Sequence, residues 1–116
     1  MPHKVLYEKR GEVAYITLNR PEVKNAIDVE CHELLCQYFT DFRDDPTMRV
    51  AVITGAGDAF TAGADLKTHA PEWQTVGPMV GRERLEDGLC GITRGPLARI
   101  TKPIVAAING WCVGHG

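Results

Sequence analysis

Two stretches of this chain combine a short apolar run with closely spaced small residues. That pattern lets backbone N–H groups approach a ligand, because no Cβ stands in the way. The first runs Val50-Ala51-Val52-Ile53-Thr54-Gly55-Ala56-Gly57-Asp58-Ala59-Phe60-Thr61-Ala62-Gly63-Ala64-Asp65-Leu66. The second is Ala106-Ala107-Ile108-Asn109-Gly110-Trp111-Cys112-Val113-Gly114-His115-Gly116. Backbone donors brought from two separate strands suit a carbonyl oxygen that gains negative charge, or a phosphate. Gly55-x-Gly57 after a strand is also how a dinucleotide site opens, but the third glycine of that fingerprint is missing and no clean helix follows.

These stretches need a frame. Val5 to Lys9, a turn at Arg10-Gly11-Glu12 and Val13 to Leu18 predict a β-hairpin, which Asn19-Arg20-Pro21 ends. Arg20 is placed to brace the turn at Pro21. From Ala26 the apolar period becomes helical, through Ile27, Cys31, Leu34, Leu35, Tyr38 and Phe42. Asn25 is the expected N-cap and Asp44-Asp45-Pro46 the stop. Val50 to Thr54 is apolar at every position but the last, which predicts a strand covered on both faces. Residues 68–100 are broken by glycines and prolines and predict one or two short helices, with Glu83, Glu86 and Asp87 on a solvated face. Pro103 opens a last strand, Ile104 to Ile108, turned by Asn109-Gly110. The alternation of strands and helices is that of a parallel α/β architecture.

A chain of 116 residues is one domain at most, and 44% apolar with 24% charged residues is ordinary for a globular protein. A net charge of −2 offers no attraction to nucleic acid, and no apolar run reaches membrane-spanning length. Cys31, Cys36, Cys90 and Cys112 lack metal-ligand spacing, so reduced thiols in a cytoplasmic protein without a metal site are expected. His3, His32 and His69 have no partners at catalytic spacing and are expected at the surface.

Three motifs in order carry a family resemblance. Leu18-Asn19-Arg20-Pro21 with Asn25-Ala26 is the first. Thr54-Gly55-Ala56-Gly57 followed by Phe60 to Leu66 is the second, and Lys102-Pro103 with Ala106 to Gly110 and Gly114-x-Gly116 is the third. Together they resemble the crotonase (enoyl-CoA hydratase/isomerase) superfamily from about Val13 onward. The resemblance implies an α/β fold of crotonase-like ββα units with a mainly parallel sheet. Residues 1–116 would then be the N-terminal portion of a single such domain, truncated after the third motif.

The resemblance also implies an acyl-CoA thioester whose carbonyl oxygen lies between the backbone N–H groups of Ala64 and His115. It points first to an enoyl-CoA hydratase or isomerase. A CoA-thioester hydrolase or lyase, and a non-catalytic truncated product or interaction module, are the alternatives. His115 stands where the family usually has glycine, so its ring faces the acyl group or packs aside, and its presence favours the hydrolase or lyase alternative slightly. Lys24, Ala26, Ala62, Leu66, Lys67 and Gly114 resemble positions along the CoA path. Asp65 is suited to capping the next helical turn beside the ligand. Trp111 walls the acyl pocket or belongs to the core. The acid and base glutamates of the hydratases would fall beyond Gly116, and the chain would end on an unfinished strand-to-helix turn that leaves sheet edges and the apolar Ile104 and Ile108 without cover, so the chain alone is expected to be inactive as a hydratase and poorly folded. No cofactor is implied, CoA being part of the substrate, and the complete protein is expected to form homo-trimers or hexamers.

Overall fold

The computed structural model describes residues 3–63 and 100–113. Strands β1 (Val5–Arg10) and β2 (Val13–Leu18) pair antiparallel through a two-residue connection that sets Arg10 opposite Val13. Along β2 the side chains alternate, with Ala14, Ile16 and Leu18 buried and Val13, Tyr15 and Thr17 half-buried. The hairpin therefore turns one face to the core. A short 3₁₀ turn, Pro21–Val23, leads to helix α1 (Val29–Asp44).

Helix α1 starts later than its apolar period suggested. Its N-cap is Asp28, whose carboxylate accepts the Cys31 N–H at 2.8 Å, rather than Asn25. Asn25 is unavailable as a cap because its side chain is already bonded to other loops and its φ is +56°, outside the extended region an N-cap needs. The buried stripe of α1 is Cys31, His32, Leu35, Phe39 and Phe42. His32, expected at the surface, is thus buried at 2% exposure, because it shares the stripe's phase next to Cys31. His3 is exposed, as expected.

Strand β3 (Val50–Gly55) follows and lies parallel to β2, with Ile16 opposite Ile53. Parallel neighbours cannot be joined by a tight turn, and α1 supplies the crossover. After β4 (Ala59–Thr61), strand β5 (Ile104–Ala107) pairs parallel with β3, giving the order β1-β2-β3-β5. Strand β6 (Trp111–Cys112) pairs parallel with β4 in a separate two-stranded sheet. One antiparallel pair and otherwise parallel pairing give the mixed, mainly parallel α/β sheet expected. Strand β5 ends at Ala107, one residue short of its expected limit, and β6 follows it.

Val5, Ile16, Leu18, Ile27, Leu35 and Phe39 form the main core between α1 and the sheet, with Ala14, Phe42, Met48 and Ala51 adjoining. The opposite face is less covered than the apolar run of β3 predicted, since Val52 is half-buried and Val105 is 52% exposed. Several long-range ties fasten α1, two of them at its C-terminal half. Tyr7 stacks on Tyr38 with ring centroids 4.7 Å apart, and Lys102 Nζ donates to the Phe42 and Asp45 carbonyls at 2.7 and 2.6 Å. A lysine on the last carbonyls of a helix also meets the negative end of its dipole.

Candidate functional site

The two glycine-rich stretches meet in space as the sequence required. Strands β4 and β6 run side by side with Ala59 opposite Trp111 and Thr61 opposite Cys112. The Val113 N–H continues the pairing by donating to the Thr61 carbonyl at 3.2 Å. The register shifts by one residue between Ala59 and Thr61, where two residues of β4 span one step of β6, and the two strands run in the same direction.

Residues 24–27 brace the outer side of β4. The Ala62 N–H donates to the Lys24 carbonyl at 2.9 Å, the Thr61 hydroxyl to the Asn25 carbonyl at 2.7 Å, and the Ile27 N–H to the Gly63 carbonyl at 2.8 Å. Holding that line requires Lys24 and Asn25 at φ +54° and +56°. Left-handed backbone costs a side-chain-bearing residue about 1–2 kcal/mol, and it survives here because Asn25 is bonded at every polar group. Its Oδ1 accepts the Arg20 N–H at 2.8 Å, while Nδ2 donates to the carbonyls of Ala56 and Ala59 at 2.9 and 2.8 Å. Arg20 fills the bracing role expected of it, with its guanidinium donating to the Ala26 carbonyl at 2.7 Å.

The turn between β3 and β4 is gripped from its other side by Asn109. Its Nδ2 donates to the carbonyls of Gly55 and Gly57 at 2.7 and 3.1 Å, and its Oδ1 accepts the Gly55 N–H at 3.3 Å. Two glycines make that approach possible. A Cβ on Gly55 would meet the carbonyls of Ala59 and Phe60 and lie 2.7 Å from Asn25 Nδ2. A Cβ on Gly110, at φ +157°, would meet the Asp58 carbonyl.

Of the residues assigned to a CoA path, the structure gathers Lys24, Ala26 and Ala62 on the residue 24–27 and 61–63 seam. Trp111 stands across the β4–β6 pair, 65% exposed rather than in the core. The Lys24 ammonium is exposed and bonds both carboxylate oxygens of Asp58 at 2.9 and 2.8 Å. That contact holds the Asp58 carboxyl below the usual range. Ala64, Asp65, Leu66, Lys67, Gly114 and His115 lie outside the described residues, as do the helices expected in 68–99 and Glu83, Glu86 and Asp87. Sequence reasoning passed over the side chains of Asn25, Thr61 and Asn109 as parts of the site. For Thr61 and Asn109 the signal was there: isolated polar residues inside runs of small and apolar ones.

Cys31, Cys36 and Cys112 are free, and burial pushes the Cys31 thiol up to about 11. Among the described residues no helix is long and apolar enough to cross a membrane.

The fold is thus a mainly parallel α/β sheet accompanied by a separate parallel pair, β4 and β6, that the loops after β3 and β5 lead into. The family model for enoyl-CoA hydratase/isomerase matches residues 8–116. The chain is 41% identical to (E)-benzylidenesuccinyl-CoA hydratase of Thauera aromatica, over 97% of its own length and 41% of the relative's. It is 40% identical to mevalonyl-coenzyme A hydratase of Aspergillus fumigatus, over 90% of its length and 36% of that protein's. An enoyl-CoA hydratase/isomerase from Xanthobacter autotrophicus superposes with a TM-score of 0.81 at 33% identity, covering 99% of this chain and 42% of the other. The chain therefore belongs to the enoyl-CoA hydratase/isomerase family, the crotonase superfamily, and corresponds to its N-terminal part. It spans about two fifths of the length of these relatives.

Proposed function

We propose that the full-length protein processes an acyl-CoA thioester, first as an enoyl-CoA hydratase or isomerase. In this reading the N–H groups of Ala64 and His115 receive the thioester oxygen as it becomes an enolate oxyanion. The observation that carries the reading is the parallel pairing of β4 with β6 at Thr61 and Cys112, past the register shift that follows Ala59. Thr61 and Cys112 are paired, and Ala64 and His115 each stand three residues further along. Donors fixed in backbone need no reorganisation as charge develops, and one such donor is worth about 3–4 kcal/mol in the transition state. Relatives that share this part of the chain are named as hydratases of CoA thioesters, which supports the same substrate class. Lys24 would exchange its exposed Asp58 partner for a CoA phosphate.

Isothermal calorimetry of the full-length protein with acetoacetyl-CoA, CoA and NAD tests the reading. Acetoacetyl-CoA is expected to bind most tightly. Tighter binding of NAD than of the thioester would remove it.

A further inference from the structure

The β3–β4 turn is held by two carboxamides from distant parts of the chain. Asn25 comes from the loop before α1, and Asn109 from the loop after β5. Both reach the Ala59 carbonyl, at 2.8 and 3.4 Å. Asn109 is the more informative of the two, because of what lies on either side of it in sequence. Its own backbone leads through Gly110 directly into β6 and on towards His115. The carbonyls it holds, those of Gly55 and Gly57, belong to the turn that leads into β4 and on towards Ala64. The short β4–β6 pair is joined to the four-stranded sheet where this contact sits, and Gly110 packs its backbone against Asp58 at the same point. A second bond closes the arrangement, with the Thr54 hydroxyl donating to the Ala107 carbonyl at 2.8 Å.

We propose that Asn109 is a positioning residue, whose carboxamide locks the β6 strand to the β3–β4 turn and so fixes the spacing between the two backbone donors. This rests on the acyl-CoA reading above for what the donors do. The chemistry requires an amide at this position. Nδ2 must give two protons to carbonyl oxygens while Oδ1 takes one from the Gly55 N–H, and neither a carboxylate nor a methyl group does both. An aspartate would set negative charge against the Gly55 and Gly57 carbonyls. Because Asn109 is exposed whereas Asn25 is 1% exposed, its replacement is the gentler probe.

The test uses the full-length protein with Asn109→Ala, Asn109→Asp and a control, Lys102→Met. Lys102 also ties the β5 region to the body of the domain, but through α1 and away from the turn. Amide hydrogen exchange without ligand reads the lock directly. Asn109→Ala should speed exchange at Val113, whose N–H crosses to β4, by tenfold or more and leave Ile16 unchanged. Calorimetry reads the consequence. Affinity for acetoacetyl-CoA should fall at least tenfold while affinity for CoA stays within twofold, and Asn109→Asp should be no better than Asn109→Ala. Lys102→Met should lower the melting temperature without changing the ratio of the two affinities. Unchanged Val113 exchange, a wild-type-like Asn109→Asp, or an affinity ratio that Lys102→Met alters equally overturns the positioning role. A wild-type protein that binds no acyl-CoA thioester removes the acyl-CoA reading, and the assigned role of Asn109 with it.

Discussion

At the scale of single residues, the side chains around β4 act mainly by steering the main chain. Asn25 illustrates this: a residue type suited to a helix cap instead sits in left-handed backbone, because bonds to Arg20, Ala56 and Ala59 repay the strain. His115 raises the converse question, whether its ring or only its N–H matters. If the N–H is the second oxyanion donor, His115→Gly keeps substantial turnover in the full-length protein, since glycine offers the same donor. His115→Pro offers none, and losing about 3–4 kcal/mol slows turnover roughly 10²–10³-fold. Steady-state assays on variants shown folded by circular dichroism decide this. A folded His115→Gly as dead as the proline variant would assign the chemistry to the imidazole and favour the hydrolase or lyase alternative.

At the scale of elements, α1 is fastened at both ends by groups outside it. Its C-terminal carbonyls are taken by Lys102, whose ammonium also lies 5.0 Å from the Phe42 ring centroid. Its N-terminus depends on Asp28, which is 3% exposed and bonded to Lys4 at 2.7 Å. Burial pushes the Asp28 carboxyl up, but Lys4, the Cys31 amide and Arg20 outweigh it and hold the group at about 2. A carboxyl lowered on folding stabilises above its ordinary value, and that stability is lost as pH falls through the folded one. The drop from 3.8 to about 2 corresponds to about 2 kcal/mol. Asn also caps helices, so Asp28→Asn removes the charge and keeps the cap. Urea unfolding should find this variant about 2 kcal/mol less stable than wild type at pH 6, with the gap closing towards pH 2.

At the scale of the whole molecule, burial among the described residues is concentrated on the α1 side of the sheet. Phe39, 2% exposed among Val5, Ile16, Leu18 and Leu35, is central to it. Phe39→Ala should lower the unfolding free energy by about 3–5 kcal/mol, as measured by urea denaturation. Away from that core, Val105, Ile108, Trp111 and Val113 are between 47% and 65% exposed. The chain covers only about two fifths of its relatives, so its activity is a property to be measured in the full-length protein.

The sequence by itself determined the hairpin, the helix, the strands at Val50 and Ile104 and the family, because each is written in local periodicity or in motifs of fixed order. It placed the cap of α1 at Asn25 and His32 at the surface, and it did not resolve β4 or β6. Periodicity reports which residues share a face. It does not report which polar side chain is already engaged by a distant loop, nor which half-polar three-residue segment finds a partner strand. Those choices belong to tertiary structure. Asn25 could not cap α1 because Ala56 and Ala59, more than 30 residues later, claim its amide. Ala59 to Thr61 became a strand only because Trp111 and Cys112, about 50 residues away, came to lie beside it.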